Sequence, residues 1–215
     1  FRDYGDSQTY LLTFPEGGKG FPPFYIPSTV EIRDGCLFFA WQALHPKETN
    51  FSSFKICLAC QEKTRLTGGQ CRINMKGDDA PCFTLKSGPN PLHITPFELT
   101  VSFLSHVIGI TKERVRKKYG DRYDLSITYN MCAPIDQYET EVSKEFEKAL
   151  FLSERVAGFE NGQDLSGALE LIRREISRWP ESPGEDIRRT FIIPETYAAI
   201  ISYVNSRVAE EGLYG

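Results

Sequence analysis

The sequence predicts an α+β protein: an N-terminal antiparallel β-meander, closing as a sandwich or a half-open barrel, followed by a C-terminal helical half. Three observations carry this prediction. Residues 1–95 hold short β-branched and aromatic runs separated by Gly, Pro and Asp turns. Beyond residue 95, apolar residues recur at helical spacing. The cysteines follow the same division, with five of the six before residue 95. The boundary therefore falls between a β-rich half, 1–95, and a mainly helical half, 96–215, with one short strand near 125–129; the halves form either one integrated domain or two small ones.

At 215 residues, with 40% hydrophobic and 25% charged residues, the chain can bury a proper core and does not have the composition of a disordered segment. No apolar run approaches the ~20 residues needed to cross a bilayer. The opening FRDYGDSQTY has no signal-peptide character. The expectation is a cytoplasmic chain without a membrane partner. Net charge is -4, against a generic nucleic-acid coat, but the charge is uneven. Residues 1–95 carry +1, residues 96–130 carry +2, and residues 131–215 carry -7. The locally basic segment is the middle one, around Lys112 to Arg122.

The first hairpin can be registered from the sequence. Asp34-Gly35 supplies the two positive-φ positions of a type I′ turn. Taking them as the loop pairs Arg33 with Cys36, Ile32 with Leu37 and Val30 with Phe39. Val30, Ile32, Leu37, Phe39 and Trp41 then share one face, as a half-buried hairpin requires. A second hairpin is expected at Gly68-Gly69, and a third turn at Gly77-Asp78-Asp79 leading into a strand over Cys82–Lys86. With Tyr10–Phe14 and the run FKICLACQEK, about six strands result.

The cysteines do not build a metal centre. In an extended strand Cys57 and Cys60 point to opposite faces, and Cys71 and Cys82 are too far apart to close a zinc site as a tight pair. A redox Cys-X-X-Cys site calls for a helix directly after it, and none is expected there. Reduced, metal-free thiols and no cofactor are the expectation. The loop FPEGGKGFPPFYIP contains Lys19 among glycines, but lacks the preceding strand, the Ser/Thr and the helix of a phosphate-binding loop. Its aromatics Phe21, Phe24 and Tyr25 are better suited to a protein partner.

Helices begin at Thr95. Thr95-Pro96-Phe97-Glu98 is a capping box with proline at the first helical position. Phe97, Val101, Leu104 and Ile108 form one apolar row; Leu99, Phe103 and Val107 form another beside it, so this helix is expected at the centre of the fold. Gly109 is expected to break it, Thr111 to cap a second short helix, and Gly120 to end that one. The segment VSFLSHVIGITKERVRKKYG resembles a helix-turn-helix, with Ser105 four residues before the turn glycine and Val115 six residues after it. That resemblance implies that Lys112, Arg114, Arg116, Lys117 and Lys118 reach phosphates or base edges of nucleic acid. The bland counterpart is a solvated basic face. Further helices are expected over Glu139–Ala157, over Asp164–Arg178 with Asp164 as N-cap, and over Glu195–Glu211.

Every cation after Lys148 is arginine. The planar guanidinium suits bidentate carboxylate or phosphate recognition. Internal ion pairs with the sixteen acids of residues 131–215 are one use for them. An anion site built from Arg173, Arg174, Arg188 and Arg189, bordered by Trp179, is the other. Catalytic constellations are thin: the histidines are His45, His93 and His106, and a Cys132–His93 thiol pair has no local signature. Three functions follow in order of preference. The first is a binding module for nucleic acid or another polyanion through Lys112–Arg122. The second is an enzyme at the sheet–helix junction using His93, Cys132 or the arginine cluster on an anionic small substrate. The third is a protein-interaction module using Phe21–Tyr25.

Overall fold

The Asp34-Gly35 turn forms as its chemistry requires, with φ of 52° and 76° at the two positions. It joins β1 (Thr29–Arg33) to β2 (Cys36–Phe39) in antiparallel register, with Val30 opposite Phe39, Ile32 opposite Leu37 and Arg33 opposite Cys36. Val30, Ile32, Leu37 and Phe39 are all buried on one face, the pairing predicted from sequence. The strand ends one step earlier than expected. Ala40, at φ 53°, turns the chain into a 3-10 turn over Ala40–Ala43, so Trp41 does not continue the strand face. Its indole instead lies 6.2 Å from the Phe14 ring, centroid to centroid.

The computed structural model describes residues 12–14, 22, 25–43, 50–52, 83–85, 92–120, 129–133, 141–179 and 190–194. The expected strand FKICLACQEK, the turns at Gly68-Gly69 and Gly77–Asp79, and the helix expected over 195–211 lie outside them. Residues 12–14, expected in a strand, are irregular.

The fold class is α+β, an antiparallel sheet at the N-terminal end followed by helices. The main sheet has four strands in the order β3 (Asn50–Ser52), β1, β2 and β7 (Gln163–Asp164). Its last strand therefore comes from the C-terminal half. Two strand pairs complete the β structure: β4 (Phe83–Leu85) antiparallel to β5 (Leu92–Ile94), and β6 (Tyr129–Ala133) parallel to β8 (Thr190–Pro194). Of the strand expected near 125–129, Tyr129 opens β6, and residues 125–128 lie outside the described residues. A parallel pair needs a long crossover, and α2 (Glu141–Arg155) and α3 (Leu165–Ser177) lie within it.

Helix α1 spans Pro96–Tyr119. Its capping box is complete: Glu98 N donates to Thr95 Oγ1 at 3.1 Å, and Thr95 N donates to Glu98 Oε2 at 2.7 Å. Nearly every position from Pro96 to Ile108 is buried or half-buried, which makes it the central helix. The polar residues in that stretch are satisfied locally. Thr100 Oγ1 donates to Pro96 O at 2.8 Å, and Ser102 Oγ to Glu98 O at 2.8 Å.

The break expected at Gly109 does not occur, and this is the main correction to the sequence reading. One helix runs through Gly109 to its C-cap at Gly120, whose φ is 78° and whose N–H donates to Arg116 O at 2.8 Å. Without the turn there is no helix-turn-helix. Gly109 serves packing instead. A Cβ there would lie 2.9 Å from Gly158 Cα, closer than real Cβ atoms approach, and a tight 3.2 Å from Gly158 N. The helix and the loop after α2 meet backbone to backbone at this point.

Helices α2 and α3 bury the predicted faces, with Phe146, Ala149 and Leu150 on one and Leu165, Leu169 and Ile172 on the other. Asp164 caps α3 by accepting from Gly167 N at 2.6 Å. One contiguous core joins Val30, Leu37 and Phe39 of the sheet to Leu99, Val101 and Phe103 of α1 and to Leu152, Leu165 and Ile172 of α2 and α3.

Two glycine substitutions separate conformation from space. At Gly35 a Cβ meets nothing within 4 Å, so Gly35→Val acts through φ alone. It is expected to destabilise by roughly 1–3 kcal/mol in chemical denaturation. An unchanged midpoint would reject the turn. At Gly109 the helical propensity gain of Gly→Ala, ~1 kcal/mol, opposes a clash with backbone. Overpacking costs about 1–3 kcal/mol, so Gly109→Ala should be net destabilising, whereas an unconstrained helical glycine would gain stability.

Candidate functional site

The last buried position of α1 is Ile108. About three further turns follow; residues 109–112, 114 and 115 are half-buried, and residues 116–120 are exposed. These turns contain Lys112, Arg114, Arg116, Lys117 and Lys118 with one acid, Glu113. At about 100° per residue, the five cations are distributed around the helix rather than along one stripe. That distribution does not provide the single base-reading face of a recognition helix. It does provide positive charge on several sides of the helix end.

Local contacts hold some of these groups. Lys117 Nζ pairs with Glu113 one turn back, and its hydrogen bond holds the Glu113 carboxyl below the usual carboxylate range. Lys112 Nζ stands 5.9 Å from the Tyr129 ring, and Lys118 Nζ 5.3 Å from the Tyr119 ring. Burial, aided by the Glu154 charge, pushes the Tyr129 phenol up to about 12. Tyr129 is therefore a neutral platform under Lys112. The cations also face the negative pole of the helix, so they stabilise α1 even without a ligand.

The arginines predicted as one anion site are used differently. Arg173 Nε donates to Glu98 Oε1 at 2.6 Å and its terminal nitrogen to His93 O at 2.8 Å, tying α3 to the start of α1. The neighbouring Arg174 turns to Glu175, with Nε 3.8 Å from Oε1. Arg188 and Arg189 lie outside the described residues. Two residues absent from the predicted site join Arg174: Arg155 Nε donates to Glu175 Oε2 at 2.9 Å, and Arg178 to Oε1 at 3.2 Å. Burial pushes the Glu175 carboxyl up. The Arg155 hydrogen bond, with the charges of Arg155, Arg178 and Arg174, outweighs this and holds it below the usual range. Spacing in sequence could have flagged Arg178 beside Glu175; the Arg155 contact, twenty residues away, has no local signal.

Of the candidate catalytic residues, His93 is exposed on β5 and Cys132 is half-buried on β6, in different sheets. His45, Phe21 and Phe24 lie outside the described residues, and Tyr25 is 46% exposed. Cys36 and Cys132 carry free thiols; the other four cysteines are outside the described residues. Among the described residues, no three His, Cys, Asp or Glu side chains are placed to hold a metal ion. No described helix is long and apolar enough to cross a membrane.

His106 is buried and structural. Its ring stacks on Phe39 at 4.8 Å and 14°, and Nδ1 lies 2.8 Å from Phe159 O, which fixes the proton on Nδ1. Burial lowers its pKa below the ordinary 6.5, only partly opposed by the Phe159 hydrogen bond and the Glu160 charge. The unfolded chain therefore takes up this proton more readily. The contribution is fully present above pH 6.5 and is lost as pH falls toward the folded value. Urea midpoints should decline below that pH in the wild type. The corresponding part of the decline should be absent from His106→Asn, measured against its own value at pH 8; parallel profiles would reject it.

Comparison of the chain with family models, with curated proteins and with solved structures finds no match.

Proposed function

We propose that this chain is a binding module that engages a polyanion, with nucleic acid the class that fits best, through Lys112, Arg114, Arg116, Lys117 and Lys118. The observation that carries this reading is the basic C-terminal part of α1, five cations against a single acid, whose end, residues 116–120, is exposed. Contact with phosphates draws on accessible positive charge, which is greatest at the exposed Arg116, Lys117 and Lys118. The encircling arrangement favours backbone contacts over readout of base edges. Because residues 131–215 carry -7, the rest of the chain repels a polyanion and the contact must be local and oriented. An enzyme at the sheet–helix junction is less well supported, since Arg173 already serves Glu98 and the His93 carbonyl.

Affinity for a short DNA or RNA duplex or single strand should fall steeply with salt, because each neutralised phosphate releases counterions. In Arg116→Ala/Lys117→Ala the slope of log affinity against log salt should flatten by about one unit per lost phosphate contact, with the thermal melt retained. No binding of any of these probes at low salt would remove the proposal and leave the basic turns as a helix-stabilising, solvated end.

A further inference from the structure

Arg155, Arg174 and Arg178 surround a single carboxylate where α2 meets α3. Glu175 is buried, whereas the three arginine side chains are 54%, 55% and 61% exposed. One negative charge faces three positive ones, in place of the one-to-one balance of an ordinary surface ion pair. The donor count is equally lopsided. Three guanidiniums bring about fifteen N–H groups, and one carboxylate offers about four lone-pair sites. Most donors are therefore left for a second acceptor. Glu175 holds Arg155 and Arg178 by hydrogen bonds and draws Arg174 to 3.8 Å as an ion pair, so an incoming anion meets charges already gathered.

The surroundings extend the positive surface. Arg155 lies 5.9 Å from the Phe151 ring, which meets Trp179 edge to face at 5.1 Å, and Lys148 Nζ is 5.9 Å from that indole. Cations thus flank an aromatic pair. Arginine in this density is matched to tetrahedral oxyanions, because its fork donates two parallel hydrogen bonds to phosphate oxygens.

We propose that Arg155, Arg174 and Arg178, gathered by Glu175 as a positioning residue, form a binding site for the phosphoryl group of a small molecule. This site lies on the α2–α3 seam and does not depend on the basic end of α1 acting in binding.

The test is calorimetric titration of the full chain with inorganic phosphate and with pyrophosphate, at constant ionic strength set by chloride. Saturable one-to-one binding is expected, tighter for pyrophosphate. Arg174→Lys/Arg178→Lys keeps the charge but removes the forks, and should weaken pyrophosphate about tenfold. Circular dichroism melts report whether that variant folds. If it does not, the exposed single substitution Arg174→Gln is used, with the pyrophosphate-induced rise in melting temperature as readout; the rise should shrink. Absence of saturable binding at millimolar pyrophosphate overturns the proposal. So does equal affinity in the folded lysine variant, which would mean diffuse charge rather than a built site. Binding of a single-stranded oligonucleotide without binding of pyrophosphate overturns it too, and leaves the basic end of α1 as the region that engages the anion.

Discussion

The contact between Gly109 and Gly158 is the constraint on which the remaining geometry depends. It lets helix α1 and the loop after α2 approach with no side chain between their backbones. Three hydrogen bonds then become possible along that approach. Gly158 N donates to Ser105 O at 3.2 Å, Ser105 Oγ donates to Val156 O at 2.6 Å, and the His106 ring donates to Phe159 O at 2.8 Å. The loop held this way reaches the sheet next. Asn161 Oδ1 accepts from Phe39 N at 2.7 Å, Gly162 N donates to Leu37 O at 2.8 Å, and β7 adds to the edge of β2. Leu165 N closes onto Gly35 O at 2.9 Å as α3 begins. A single glycine on the central helix thereby sets the end of α2, the fourth strand of the sheet and the start of α3.

Helix α3 is fixed a second time by charge. Its adjacent residues Arg173 and Arg174 point about 100° apart around the helix, so they serve different partners. Arg173 reaches the buried Glu98, the same carboxylate that completes the capping box of α1. Glu98 thus satisfies a backbone donor with one oxygen and a guanidinium with the other. Glu175 points to the other neighbour and takes Arg155 from the last turn of α2. Removing either carboxylate would leave its arginines to solvent and its helix junction untied, at the cost typical of a partly buried, hydrogen-bonded pair. The two junctions differ in what remains. Around Glu98 one arginine is spent on two acceptors, while around Glu175 three arginines share one acceptor and keep donors to spare.

What could be read from the sequence divides along the range of the interactions. The Asp34-Gly35 hairpin and its register, the Thr95–Glu98 capping box, the Asp164 cap and the stop at Gly120 were all legible, because each is decided within a few residues by turn or cap chemistry. Gly109 was misread for the same reason. By propensity a glycine between two apolar helical stretches marks an end, and the contact that explains it lies about fifty residues away in the chain. Strands β3, β5, β7 and β8 escaped as well: they are short, and their pairing is defined by a partner rather than by their own alternation. In the candidate site the identity of the basic residues in α1 was legible, but the helix-turn-helix geometry given to them was not present. The arginine cluster was legible as a composition bias only. Its grouping is tertiary, with Arg173 and Glu98 separated by 75 positions.

The bias toward arginine after Lys148 now has a physical account for the residues described. Arg155, Arg173, Arg174 and Arg178 all face a buried carboxylate, and each must be held while still partly exposed. A lysine could supply the charge, but its ammonium is more strongly hydrated and gathers its donors on one nitrogen, whereas Arg173 reaches its carboxylate and carbonyl from two nitrogens of a rigid fork. The C-terminal part of α1 carries Lys112, Lys117 and Lys118 together with Arg114 and Arg116, and positive charge near a helix C-terminus is served by either residue. The choice of cation therefore follows the geometry of its acceptor, with mixed Lys and Arg at the end of α1 and arginine where buried acids gather several donors. Among the described residues that division separates two positively charged regions, one strung along the end of a helix and the other gathered around a single buried carboxylate.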